Sequence, residues 1–120
     1  MREQWIQYQG LLACERRRQG YVYLIQLADT GIYKIGRTKD MQKRLEELQR
    51  TRSASLTLVA YGWKRDAYSL EQKLHRRYDV WQQERRSEWY ALTSKQAKDV
   101  ASIITTDSTV LNQMIEQTQL

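Results

Sequence analysis

The chain has 120 residues, 41% of them hydrophobic and 28% charged, which suits one domain with a modest core. No run approaches the roughly 20 apolar residues that span a bilayer, and the first residues mix charges with aromatics instead of forming an apolar signal core. A single cysteine, Cys14, excludes an internal disulfide framework and a Cys-rich zinc site, and fits a reducing, cytoplasmic compartment.

Charge points to a polyanion as partner. Twenty Lys and Arg stand against fourteen Asp and Glu, a net +6. Residues 99–120 hold Asp99, Asp107 and Glu116 and no Lys or Arg, so the first 98 residues carry +9. A compact body with that excess attracts nucleic acid above all. A basic surface that serves solubility alone is the plainer alternative.

Residues 1–19 read as an N-terminal arm or short helix, with Trp5, Tyr8 and Leu12 at helical spacing and Gly10 interrupting them. The β-formers from Tyr21 to Leu27 predict a first strand, and Ile32 to Gly36 a second. The turn between them places Gly31 where a positive φ is easiest. So short a connection makes the pair an antiparallel hairpin. Thr38 or Asp40 caps a helix whose Met41, Leu45 and Leu48 form one apolar stripe. Leu56 to Trp63 predicts a third strand, apolar on both faces apart from Thr57 and therefore expected to be covered on both sides. Asp66 caps a second helix with Ala67, Leu70, Leu74 and Tyr78 inward. Residues 79–88 read as a polar loop and Trp89 to Leu92 as a short apolar segment. Thr93 and Gln96 match a capping box, opening a helix with Ala97, Val100, Ala101 and Ile104 inward. Residues 105–120 read as a helical tail in which Val110, Leu111, Met114 and Ile115 suit a homodimer or partner contact. The expected fold is α+β: a small three-stranded antiparallel sheet flanked by helices, with residues 20–104 as the body.

Several polar groups stand beside the apolar stripes. Strand alternation puts Lys34 and Gly36 on one face and Tyr33 and Ile35 on the other. Glu71 and His75 are four apart and share a helix face. A carboxylate, cations and phenols that converge on a sheet face suit phosphodiester chemistry: the carboxylate holds a divalent ion, cations offset phosphate charge, and a phenol or amine manages a proton.

Those residues also carry a family resemblance. Tyr21-Val22-Tyr23 stands where GIY-YIG nucleases have GIY, and Lys34-Ile35-Gly36, with Lys34 eleven residues after Tyr23, where they have YIG. Gly36 to Leu45 resembles the turn and helix that bear the family's catalytic Arg, here Arg44. Glu71, in Leu70-Glu71-Gln72-Lys73-Leu74-His75, stands at the place of the metal-binding Glu. Leu74-His75 and Glu88-Trp89-Tyr90 resemble a phage-protein branch of that family. The resemblance spans about residues 20–104. It implies metal-dependent hydrolysis of DNA with Mg²⁺ or Mn²⁺: Tyr23 positions or deprotonates the water, Lys34 acts near the nucleophile, Arg44 binds the scissile phosphate, and Glu71 holds the metal. Arg37, Lys39, Lys43, Arg76 and Arg77 are the expected nucleic-acid contacts. Four positions depart from the pattern: Tyr21 stands for the first glycine of GIY, the family's frequent late Asn is not evident near Gln82 and Gln83, and two more bear on the chemistry. Lys34 replaces the second motif tyrosine, and Leu48 stands where many members carry His or Tyr. His75 is the residue placed to supply the missing polar group. A catalytically inactive descendant that binds nucleic acid or protein is the alternative function.

Overall fold

A computed structural model describes residues 16–84 and 87–106. The elements run β1 (Gly20–Leu27), β2 (Ile32–Thr38), α1 (Met41–Arg50), β3 (Leu56–Lys64), α2 (Ala67–Arg77), a 3₁₀ turn (Asp79–Trp81), β4 (Trp89–Ala91) and α3 (Ser94–Thr105). The sheet is antiparallel with four strands in the order β3-β1-β2-β4, not three. The added strand is the Trp89 segment, whose Ala91, Tyr90 and Trp89 pair with Ile32, Tyr33 and Lys34. Three residues are too few to announce a strand by alternation. Their pairing joins segments more than fifty residues apart. The expected tail and most of the arm lie outside the described residues.

Local chemistry explains the element ends. Asp40 caps α1 by accepting from the Lys43 N–H at 3.1 Å, and Asp66 caps α2 by accepting from the Ser69 N–H at 3.1 Å. The Thr93 hydroxyl accepts from the Gln96 N–H, and the Gln96 side-chain Oε1 accepts from the Thr93 N–H, which completes the capping box of α3. In the β1–β2 turn it is Ala28, at φ 48°, that takes the left-handed conformation rather than Gly31.

β1 is the spine, with Val22, Tyr23, Leu24 and Ile25 fully buried. Alternation sends Val22 and Leu24 to one face, where Tyr33, Ile35, Leu70, Leu74, Val100 and Ile104 join them under α2 and α3. Tyr23 and Ile25 face the other side, with Met41 and Leu48 of α1 and Trp89. Burying one such aliphatic side chain stabilises by roughly 1.5–3 kcal/mol. Ile103, not counted in the expected stripe of α3, is buried as well. Gly62 lets α3 close on β3, since a Cβ there would lie 2.3 Å from the Ile104 carbonyl oxygen.

β3 is not covered on both sides. It is an edge strand, and Val59, Tyr61 and Trp63 are exposed on it. The register with β1 jumps from Leu24–Ala60 to Ile25–Leu58, which leaves Val59 as a bulge. α1 is short, and the residues it buries or half-buries on this face lie at the Leu56–Leu58 end of β3. Apolar character alone does not distinguish a buried strand from one that shows aromatics to water.

Candidate functional site

Tyr23 and Gly36 are direct cross-strand partners on β1 and β2. A Cβ at position 36 would lie 2.4 Å from the Tyr23 phenol oxygen and 2.6 Å from its Cζ, so the ring occupies space that glycine alone leaves. The phenol therefore lies flat over the second motif and ends at the rim of a cleft. There Arg44, one turn into α1, donates from Nε to the Tyr23 oxygen at 3.4 Å, and also pairs with Glu47 at 3.6 Å. Because the guanidinium can only donate, the Tyr23 hydrogen is directed elsewhere. Burial pushes the Tyr23 phenol up, against the lowering effect of Arg44. Tyr23 is therefore a phenol and not a phenolate at neutral pH.

α2 brings in the carboxylate. Glu71 is buried, and its Oε1 lies 3.4 Å from Arg37 Nε. Burial pushes the Glu71 carboxyl up, His75 and Arg37 pull it down, and Glu88 pushes it up again. One turn on, His75 Nε2 lies 2.8 Å from the Ile35 carbonyl oxygen, beyond the point where β4 stops pairing with β2. A carbonyl only accepts, so Nε2 donates the hydrogen. The ring also stacks on Tyr90, with centroids 5.7 Å apart.

Lys34 sits on an internal strand and is ion-paired. β2 lies between β1 and β4, and the buried Lys34 ammonium pairs with Glu88 at 3.2 Å while lying 5.4 Å from the Trp89 ring centroid. Glu88, which the sequence offers only within Glu88-Trp89-Tyr90 and without a place among the site residues, joins the site. Glu71, His75 and Glu88 each offer a donor atom, and these atoms lie within 4.8 Å of one another. The signal was Glu88's place directly ahead of the apolar Trp89-Tyr90. What hid it is that a polar loop carries it, and β4 pairing alone delivers it to the site.

Tyr23, Arg37, Lys39, Arg44, Glu71 and Glu88 line one open cleft of about 290 Å³, whereas Lys34 is not in its wall and His75 lines a neighbouring hollow that shares Glu88. The backbone carbonyls of Arg16 and Arg17 accept from Lys39 and Arg37 at the edge of the cleft. The expected nucleic-acid contacts divide. Arg37 and Lys39 line the cleft, and Arg76 borders a second hollow on the His75 and Glu88 side. Lys43 is exposed on α1, and Arg77 lies over Tyr78, both away from the cleft wall. Leu48 is buried with Met41 and Trp89, so that position packs the core and offers no polar group.

A domain model matches this architecture. Residues 20–105 match the T5orf172 domain, and the chain belongs to that family, a phage-associated domain of GIY-YIG-like, nuclease-type fold. No curated protein and no solved structure matches the chain. No helix among the described residues is long and apolar enough to cross a membrane.

Proposed function

We propose that the chain is a divalent-metal-dependent endonuclease of the GIY-YIG type that hydrolyses phosphodiester bonds in DNA. The observation that carries this reading is the convergence of Tyr23, Arg44, Glu71 and Glu88, from β1, α1, α2 and the approach to β4, on one cleft. A hydrophobic domain gains nothing in stability from gathering these groups, because burying carboxylates costs free energy unless they are paired.

The donor set suits a divalent ion: two hard carboxylates and an imidazole, with one donor atom of each within 4.8 Å of the others. Glu71, Glu88 and His75 would hold it, and when bound it would supply positive charge against the phosphate. His75 therefore belongs with the metal-holding carboxylates and not with water activation alone. Arg44 binds the phosphate and offsets charge that develops on it. The neutral Tyr23 phenol orients a water through its directed hydrogen. Arg37 and Lys39 hold the flanking phosphates, as the positive charge of the body requires.

A second reading has its own observation. Arg37 and Lys34 already neutralise Glu71 and Glu88, so the cleft is electrostatically complete without a metal. That arrangement suits a silent module that binds nucleic acid. Nicking of supercoiled plasmid with Mg²⁺ or Mn²⁺, and with chelator, separates the two. The endonuclease reading expects metal-dependent nicking that falls on the order of 10²–10³-fold in Arg44→Ala and is lost in Glu71→Ala. Salt-sensitive DNA binding with no nicking in the native chain supports the silent module instead.

A further inference from the structure

Beyond the cleft, the edge strand β3 carries a surface that its packing does not explain. Tyr61 and Trp63 are each 51% exposed and point to the same face of the sheet as Tyr23. Tyr21 braces both rings, at 5.7 Å from Tyr61 and, edge-on, at 5.0 Å from Trp63. Two large aromatics held rigid and half in water expose apolar area that a folded domain ordinarily covers. Lys39 joins this surface to the cleft. Its ammonium lies 5.7 Å from the Trp63 ring centroid, and the same residue lines both the Tyr23 cleft and the groove between α1 and Tyr61.

We propose that Tyr61 and Trp63 form a stacking platform for an unpaired nucleobase, on a strand whose phosphates rest on Arg37, Lys39 and Arg44. The inference rests on the nucleic-acid reading of the cleft and deepens it. It specifies a substrate with an unpaired nucleotide beside the phosphate to be cleaved, such as a single strand, a flap or a branch. Three features favour a base over a protein side chain. The platform is aromatic, it is interleaved with cations, and it continues into a cleft suited to phosphates. Duplex DNA keeps its base faces stacked on each other and has none to offer to such a surface. The face of a base is shared by all four bases, so the platform selects strandedness and not sequence.

Binding measured in chelator isolates this claim from catalysis. Fluorescence anisotropy would compare a short labelled oligothymidylate with a duplex of the same length, for the native chain and for Tyr61→Ala, Trp63→Ala and Trp63→Phe. Both rings are half exposed, so these changes leave the core intact. Each alanine variant is expected to weaken single-strand binding about ten-fold with the salt slope unchanged, because a base contact is lost and no phosphate contact. Duplex binding stays within about two-fold, and Trp63→Phe regains most of the single-strand affinity, since an aromatic face is restored. Equal effects on single strand and duplex, or no effect on either, overturn the platform. So does a change in sedimentation without a change in oligonucleotide affinity, which assigns the face to a second copy of the chain. Selective single-strand binding with no metal-dependent nicking leaves the platform standing and removes the nuclease reading. A native chain that binds no nucleic acid removes both.

Discussion

The two faces of the sheet are built for different ends. Under α2 and α3, Val22, Leu24, Ile35, Leu70, Val100 and Ile104 interlock into an apolar seam along the length of β1. On the α1 face the apolar cluster is smaller, built on Tyr23, Ile25, Met41, Leu48 and Trp89. At the end of the sheet the Tyr23 phenol and the Lys34–Glu88 pair on this face meet the Arg37–Glu71 pair that α2 brings from the other, around an open cleft. The seam supplies the stability that allows the sheet's end to hold charged groups from both faces partly out of water. The glycines divide in the same way. Gly62 admits α3 to the sheet, and Gly36 admits the Tyr23 ring to the site.

Damage to the two faces should therefore differ in kind. The largest effect is expected from Ile104→Ala. Ile104 is fully buried in the seam, and its truncation should cost about 2–5 kcal/mol in denaturant unfolding. If the loss is below the range for a surface change, about 0.5 kcal/mol, the seam is not the stabilising face. Gly36→Ala comes next. The new methyl group would meet the Tyr23 ring, which must leave its place or strain the hairpin. Unfolding free energy should fall by about 1–3 kcal/mol. The Arg44–Tyr23 hydrogen bond should be lost with it, visible as a changed Tyr23 ring signal by NMR. Retention of that signal would mean the ring is not held by the glycine gap.

The smallest effect is a pH dependence that spans both faces. Burial pushes the Tyr90 phenol up to about 12, with Glu88 and Glu71 adding to the rise, and burial also raises Tyr23 and Tyr78. In the unfolded chain these phenols ionise near 10. Above that pH the native state retains protons that the unfolded state has lost, so stability is undiminished below pH 10 and falls as pH rises toward 12. Tyr90→Phe removes one of these groups and should flatten the decline between pH 10 and 12, read as denaturant midpoints. A decline of the same steepness in that variant would show that other groups govern alkaline unfolding.

Much of this was legible in the sequence because it is local. The β-formers of β1 and β2, the Asp40, Asp66 and Thr93 caps, and the stripes of α1, α2 and α3 all follow from neighbours within a turn or a strand. Tyr23, Arg44 and Glu71 could be named because their spacing follows a known pattern, and all three line one cleft. The missed features depend on distant pairing. β4 is a strand because β2 offers it an edge, and that pairing turns Glu88 from a loop carboxylate into the partner of Lys34. The same strand order makes β2 internal and β3 an edge, so the aromatics of β3 face water instead of a core. Arg44 against Tyr23 was readable as a motif. Lys34 against Glu88 required the fold.

The most direct measurement is an equilibrium titration of the chain with Mn²⁺, native and Glu88→Gln side by side, followed by calorimetry. If Glu71, His75 and Glu88 form the metal-holding group, the native chain takes up one ion and the variant binds it at least about ten-fold more weakly, with its fold unchanged by circular dichroism. A native chain that takes up no ion, or a variant that binds it as tightly as the native chain does, would contradict the assignment of this cleft as a metal-dependent site.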